Sequence, residues 1–321
     1  MSLGYLEEHA EQVRLAADRI RPHVRRTPCL TTDLDPELRL KAECFQVTGS
    51  FKPRGAFNAV LSQMARDPRP SGVIAVSSGN HAQAVALAAR TVGIPALILI
   101  PVDANPAKVA ATRALGAEVL QEGITFANRE ERLHEVMAER GFSLVHPFDD
   151  WDVIHGQGTA GVEMLDDEPQ IEVVAAPVGG GGLLSGSAIV AKSRNPRIRV
   201  VGVEPVQADD AFQSWKAGSI KRLAKAPATL ADGVRTTAVG ERTFEVMFGK
   251  GLVDEIVTVT EEEIAMGVRV AWTRLHLALE PTGALPLAAY LTGKLPKGPT
   301  GLILSGGNAN LETVAKLLGT R

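Results

Sequence analysis

Lys52 stands in the run Thr48-Gly49-Ser50-Phe51-Lys52-Pro53-Arg54-Gly55, and the residues that follow (AFNAVLSQMA) have helical spacing. Proline suits the first turn of a helix, so Pro53 places Lys52 at a helix start. The positive end of the helix dipole disfavours an ammonium there, as burial does, and both lower the lysine pKa. An amine partly deprotonated near neutral pH forms a Schiff base with an aldehyde. Taken alone, a lysine at a helix start is most often a solvated charge, so the reading needs a second feature.

The glycines supply it. The runs Ser77-Ser78-Gly79-Asn80-His81, Gly179-Gly180-Gly181-Gly182 and Ser305-Gly306-Gly307-Asn308 each follow a predicted strand and are expected to open a helix. In an open parallel sheet the carboxyl ends of the strands form the ligand crevice, and helix N-termini there offer free N–H donors to an anion. Four successive glycines let the backbone wrap a phosphate without Cβ clashes and exceed what a tight turn requires. No Lys-Ser/Thr follows them, which excludes a P-loop. A dinucleotide site is the rival from another enzyme class, with Glu204 at the end of VVGVE as its ribose acid. Its spacing fails, because the third glycine of G-x-G-x-x-G would fall on Leu184 or Ser185. An amine poised for an aldehyde beside a phosphate loop points to pyridoxal phosphate.

The elements that must position these groups are legible as an alternation. After an opening helix over residues 3–21, broken by Pro22, short apolar runs read as buried strands: 72–77, 96–100, 172–177, 199–203, 254–259 and 301–305. Helical segments lie between them at 82–92, 106–115, 129–140 and 183–193, and Thr260 with Glu263 forms a capping-box signature for a helix to about Leu277. Such alternation implies an α/β fold with parallel sheets covered on both faces. The 321 residues correspond to about two domains. The balance of 34 basic against 37 acidic residues, net −3, offers no concentrated basic surface for nucleic acid or an anionic membrane. Cys29 and Cys44 cannot build a disulfide framework. No apolar run is long enough to span a bilayer, and the charged start MSLGYLEEHAEQVR is unlike a signal peptide, so a cytoplasmic protein is expected.

The motifs S-F-K-P-R-G-A, S-S-G-N-H-A-Q, G-G-G-G-L and S-G-G-N, in this order, resemble the fold-type II pyridoxal phosphate enzymes, in the branch of serine/threonine dehydratases and serine racemase. The resemblance runs from Arg26-Thr27-Pro28 to Asn308. It implies two doubly wound lobes around a cofactor cleft, the smaller (68–149) inserted between the parts of the larger (1–67 and 150–321). It further implies that Lys52 carries the cofactor and removes the substrate α-proton. Gly179 to Gly182 and Leu183 bind the phosphate, Asn80 bonds the 3′-oxygen beside Phe51, and Ser305 faces the pyridine nitrogen. Ser77, Ser78, Gly79, Asn80 and His81 receive the substrate carboxylate, and Glu280 lies near the ring.

A neutral hydroxyl at Ser305 leaves the ring nitrogen unprotonated, which suits β-elimination, with the cofactor phosphate as the acid for the β-hydroxyl. The implied activity is an L-threonine/L-serine ammonia-lyase. Ser78, typical of serine racemase and hydroxyaspartate dehydratases, brings in those two activities as alternatives; its plain reading is a helix N-cap. Glu204, the carbonyl of Ala208 and Asp210 resemble the family's site for Mg²⁺ or Ca²⁺. Asp149 to Asp152 read as a capping turn, with Trp151 where the family commonly has proline. His9, His23, His134, His146, His155 and His276 show no ligand spacing. Only residues 309–321 follow Asn308, so feedback control through a C-terminal regulatory domain is not expected. A homodimer acting on a small amino acid is expected by the same resemblance.

Overall fold

The structure is a computed structural model and describes residues 3–104, 106–125 and 127–319. Helix α1 (Leu3–Ile20) is followed by β1 (Cys29–Leu30), β2 (Leu38–Ala42) and α2 (Lys52–Met64). Next come β3 (Val73–Val76), α3 (Asn80–Val92), β4 (Ala96–Leu99), α4 (Pro106–Ala114), β5 (Glu118–Leu120), α5 (Arg129–Arg140) and β6 (Ser143–Leu144). The chain continues through α6 (Trp151–Asp167), β7 (Val173–Pro177), α7 (Gly182–Arg194), β8 (Arg199–Pro205) and α8 (Asp210–Ala217). It closes with α9 (Glu241–Phe244), β9 (Glu255–Val259), α10 (Glu261–Thr273), α11 (Leu285–Leu291), β10 (Thr300–Leu304) and α12 (Leu311–Gly319).

The strands form a six-stranded sheet, β1-β2-β10-β7-β8-β9, and a four-stranded sheet, β5-β4-β3-β6. All pairings are parallel except β1 with β2. Both sheets are covered on both faces, which is why their strands read as continuous apolar runs. In β7, Val173 and Ala175 pack with Val268, Leu287 and Leu317 on one face, while Val174 and Ala176 pack with Val13, Ile154 and Leu184 on the other. In β3, Val73 and Ala75 meet Phe57 and Val85, whereas Ile74 meets Leu133 and Val136.

Strand order locates the crevice. In the larger sheet the chain runs outward from β7 to β8 and β9, then returns to β10 on the opposite side of β7. In the smaller sheet it runs from β3 to β4 and β5, then returns to β6 on the other side of β3. The loops after β3, β7 and β10 therefore leave the carboxyl ends at the switch points, where open α/β sheets bind ligands. These loops are the glycine-rich runs.

The structure corrects three sequence expectations. The run 305–308 does not open a helix: Gly306 bridges Ser50, Gly307 N–H donates to Gly49 O at 2.9 Å, and α12 starts only at Leu311. The capping box of Thr260 and Glu263 is present, but α10 ends at Thr273, where the chain turns inward and Trp272 Nε1 donates to Leu279 O at 2.9 Å. Ser78 is not an N-cap; Gly79 holds that position of α3 without a side-chain bond, and Ser77 Oγ accepts from Gly79 N–H at 3.2 Å.

Candidate active site

Lys52 is the first residue of α2, with Pro53 next in the first turn and Phe51 at the N-cap. Phe51 N–H donates to Ser305 O at 3.0 Å, which pins this helix start to the end of β10. Farther along the helix, Arg54 is fully buried with Glu43 and Glu163 at 2.8 Å each, and Lys41 bonds Glu163 at 2.7 Å. These two positive and two negative groups neutralise one another, the condition for tolerating them in a core. Lys52 Nζ donates to Pro147 O at 2.8 Å and lies 5.0 Å from the Phe51 ring centroid. Burial pushes its amine down to about 8, so an appreciable fraction is neutral near pH 7.

The loop after β7 is built as a cradle. Gly180 to Leu183 are buried, and Gly182 opens α7. Among the described residues, the backbone N–H groups of Gly179 to Leu183 have no hydrogen-bond acceptor; the first bond of the helix runs from Ser185 N–H to Gly181 O at 2.8 Å. Free donors at the positive end of a helix are what an anion requires. Gly180 is obligatory for a packing reason as well, since a Cβ there would sit 2.1 Å from the Phe148 ring.

The loop after β3 contributes Ser77, Ser78, Gly79, Asn80 and His81. Asn80 Nδ2 donates to Glu280 Oε1 at 2.8 Å, and its Oδ1 accepts from Asn308 Nδ2 at 2.8 Å, which joins the two sheets' loops. Glu280 is buried, and burial together with Asp232 pushes its carboxyl up to about 7. His81 Nε2 lies 2.8 Å from Val145 O, so that nitrogen carries the hydrogen. Burial and the neighbouring Lys52 push His81 down to about 3, which leaves it neutral with a buried, unpartnered Nδ1. Ser78 is exposed, and its hydroxyl has no partner among the described residues. Ser305 is buried, and its hydroxyl likewise has none.

The sequence reading gave the segment 145–149, between β6 and α6, no part in the site, taking Asp149 only as part of a capping turn. Val145 O holds His81, Pro147 O holds Lys52, Phe148 underlies Gly180, and the Asp149 carboxylate accepts from the N–H groups of Glu241, Arg242 and Thr243 at 2.8–3.3 Å. The neighbouring His146 accepts from Asp149 N–H at 2.7 Å and is held below its ordinary pKa by burial. Asp150 does cap α6, accepting from Val153 N–H at 3.0 Å. No local motif could have revealed the roles of Phe148 or Thr243, which depend on partners distant in sequence.

Glu204 and Asp210 lie apart from this constellation, at the end of β8 and the start of α8. Glu204 accepts from Ala211 and Phe212 N–H at 3.1 and 2.9 Å, while both carboxylate oxygens of the buried Asp210 are unpartnered. Ala208 is buried between them in a short turn. Among the described residues, no group of three or more His, Cys, Asp or Glu side chains is gathered as a metal site.

A half-buried amine, a cradle of free N–H groups and an unpartnered hydroxyl at the end of β10 fit the aldehyde, phosphate and ring nitrogen of pyridoxal phosphate. The comparisons agree. The family model for pyridoxal-phosphate dependent enzymes matches residues 20–306, and the chain belongs to that family. This replaces the dinucleotide alternative. The chain is 42% identical over 310 residues to L-threo-3-hydroxyaspartate ammonia-lyase of Saccharomyces cerevisiae, covering 94% of each chain. It is 41% identical to serine racemase of Arabidopsis thaliana, covering 94% of this chain and 93% of that one. A solved threonine deaminase, from T.th., superposes with a TM-score of 0.88 at 48% identity, covering 94% of this chain and 98% of that chain. The protein is thus a pyridoxal phosphate-dependent enzyme whose relatives are ammonia-lyases and racemases.

Proposed function

We propose that this enzyme is an L-threonine/L-serine ammonia-lyase, releasing a 2-oxo acid and ammonia by β-elimination of water. The observation that carries this reading is the placement of the Lys52 amine, 2.8 Å from Pro147 O, next to the Phe148 that underlies Gly180 and one residue after the Phe51 bonded to Ser305. Burial there lowers the amine to about 8. A base of that strength is matched to proton abstraction at Cα near neutral pH. Pyridoxal phosphate, when bound, supplies the electron sink for the charge left at Cα. Lys52 takes the proton. The N–H groups of Gly179 to Leu183 hold the phosphate, and Asn80 orients the ring. Ser77 to His81 receive the substrate carboxylate, and the neutral Ser305 places no charge on the ring nitrogen. The proton taken from Cα and the departing β-hydroxyl together make up the water that is lost; the released enamine isomerises to an imine, which a second water hydrolyses to the 2-oxo acid and ammonia.

A second reading, racemisation or dehydration of threo-3-hydroxyaspartate, is favoured by the exposed, unpartnered hydroxyl of Ser78, which is free to exchange a proton. The reading also takes Glu204, the carbonyl of Ala208 and Asp210 as a site for Mg²⁺ or Ca²⁺, supported by the unpartnered buried oxygens of Asp210. It includes residues 68–149 as a smaller lobe inserted into a larger one, supported by the confinement of β3 to β6 to one sheet. A homodimer and a cytoplasmic location belong to the same proposal. No helix among the described residues is long and apolar enough to cross a membrane.

The purified protein with pyridoxal phosphate is expected to show a violet-region band that borohydride removes and Lys52→Ala abolishes. Assays with L-threonine, L-serine, D-serine and L-threo-3-hydroxyaspartate then separate the readings. Turnover of the first two must dominate; a Ser78→Ala enzyme with unchanged D-serine formation would exclude Ser78 as a proton carrier.

A further inference from the structure

Thr243 lies on α9, far in sequence from any glycine loop, yet its side chain sits directly beneath the cradle. It is fully buried. Its Oγ1 donates to Gly180 O at 2.7 Å, with Gly240 O a longer alternative at 3.1 Å, and Gly240 N–H donates to the same Gly180 oxygen at 3.3 Å. A trans peptide is planar, with its C=O and N–H on opposite sides. Fixing the Gly180 oxygen toward α9 therefore turns the Gly181 N–H away from α9, where it joins the free donors of Gly182 and Leu183 at the start of α7. The Gly181 backbone is itself left-handed, at φ +94°, and a Cβ there would meet Thr243 Cβ at 2.8 Å. Without an anchor, a glycine peptide has broad freedom to rotate, and its N–H is then no better aimed at an anion than that of an ordinary loop.

Thr243 is anchored in turn. The Asp149 carboxylate accepts from the N–H groups of Glu241, Arg242 and Thr243 at 3.1, 2.8 and 3.3 Å. Asp149 lies two residues beyond Pro147, whose carbonyl oxygen receives Lys52.

We propose that Thr243 is a positioning residue for the phosphate end of the cofactor site, orienting the Gly180–Gly181 peptide, and that Asp149 holds it in place. This rests on the reading of Gly179 to Leu183 as the phosphate loop. Thr243→Val keeps the shape and removes the donor. Titration of the apoenzyme with pyridoxal phosphate is expected to show roughly tenfold weaker binding, the loss typical of one buried hydrogen bond. The ³¹P resonance of the bound cofactor should move, a readout that loss of packing alone would not shift, while the apoenzyme should unfold at a modestly lower temperature because the same hydrogen bond is lost there. Thr243→Ser should restore both the affinity and the resonance. Asp149→Asn should weaken binding in the same direction by a smaller factor. Wild-type affinity and an unmoved resonance in Thr243→Val would overturn the proposal. If that variant does not fold, Asp149→Asn decides, and wild-type affinity there overturns it equally. Failure of the wild-type apoenzyme to bind pyridoxal phosphate would instead remove the phosphate-loop reading on which the proposal stands.

Discussion

The amine of Lys52 donates to the carbonyl oxygen of Pro147 across 2.8 Å, joining the start of α2 to the segment that leads from the smaller sheet into α6. The next residue along that segment, Phe148, fills the space beneath Gly180. A single stretch of backbone, residues 147–148, thus meets both the amine and the tetraglycine loop and ties their spacing together.

The Lys52 amine, lowered to about 8 by burial, should titrate well below an ordinary lysine in the apoenzyme. In protein labelled with ¹³C at the lysine ε-carbon, one resonance absent from Lys52→Ala should show a midpoint near pH 8. A midpoint in the ordinary lysine range would remove the basis for Lys52 as a base near neutrality.

Gly180→Ala places a Cβ 2.1 Å from the Phe148 ring, and the conflict falls on the body of the ring rather than on a flexible end. Overpacking of this kind costs about 1–3 kcal/mol. Denaturant unfolding should show that loss together with reduced cofactor content, and Phe148→Ala in the same chain should recover much of the stability.

Glu280 binds its proton up to about pH 7 in the folded enzyme, against 4.5 ordinarily, because it is buried near Asp232. Between those values the folded state holds more proton than the unfolded one, so stability falls as pH rises through the window and stays lower above it. The decline from this one group amounts to about 3 kcal/mol at most. In Glu280→Gln apoenzyme the decline should flatten; identical stability profiles for the two proteins would contradict the assignment.

Arg54→Met leaves the buried Glu43 and the partly exposed Glu163 without their shared partner, which costs about 3–5 kcal/mol. Because Lys52 stands two residues earlier on α2, cofactor content should fall as well. Arg14→Ala, which removes an exposed pair with Glu11, should leave the unfolding midpoint unchanged and serves as the control.

Much of the site was legible because its signals are local. Pro53 after Lys52 marks a helix start, the glycines of 179–182 mark a backbone without Cβ atoms, and apolar runs such as 96–100 mark strands buried on both faces. The short strands Leu38–Ala42 and Cys29–Leu30 were not legible. The first reads LRLKA, and nothing in that pattern shows that Lys41 is buried; Glu163, on α6, is what makes its burial tolerable. His146 and the other histidines carry no ligand spacing, yet His146 lies within the segment that meets Lys52, a placement set by the connection from β6 to α6.

The sequence by itself determined the alternation of strands and helices, the start of a helix at Lys52 and the tetraglycine loop, because helix starts, glycine backbones and buried strands each leave a signature within a few residues. Only the tertiary structure decided that Pro147, Phe148, Asp149 and Thr243 hold those parts in register. Their partners lie on other elements, and hydrogen bonds and ring contacts between distant segments exist only after the sheets have brought those segments together.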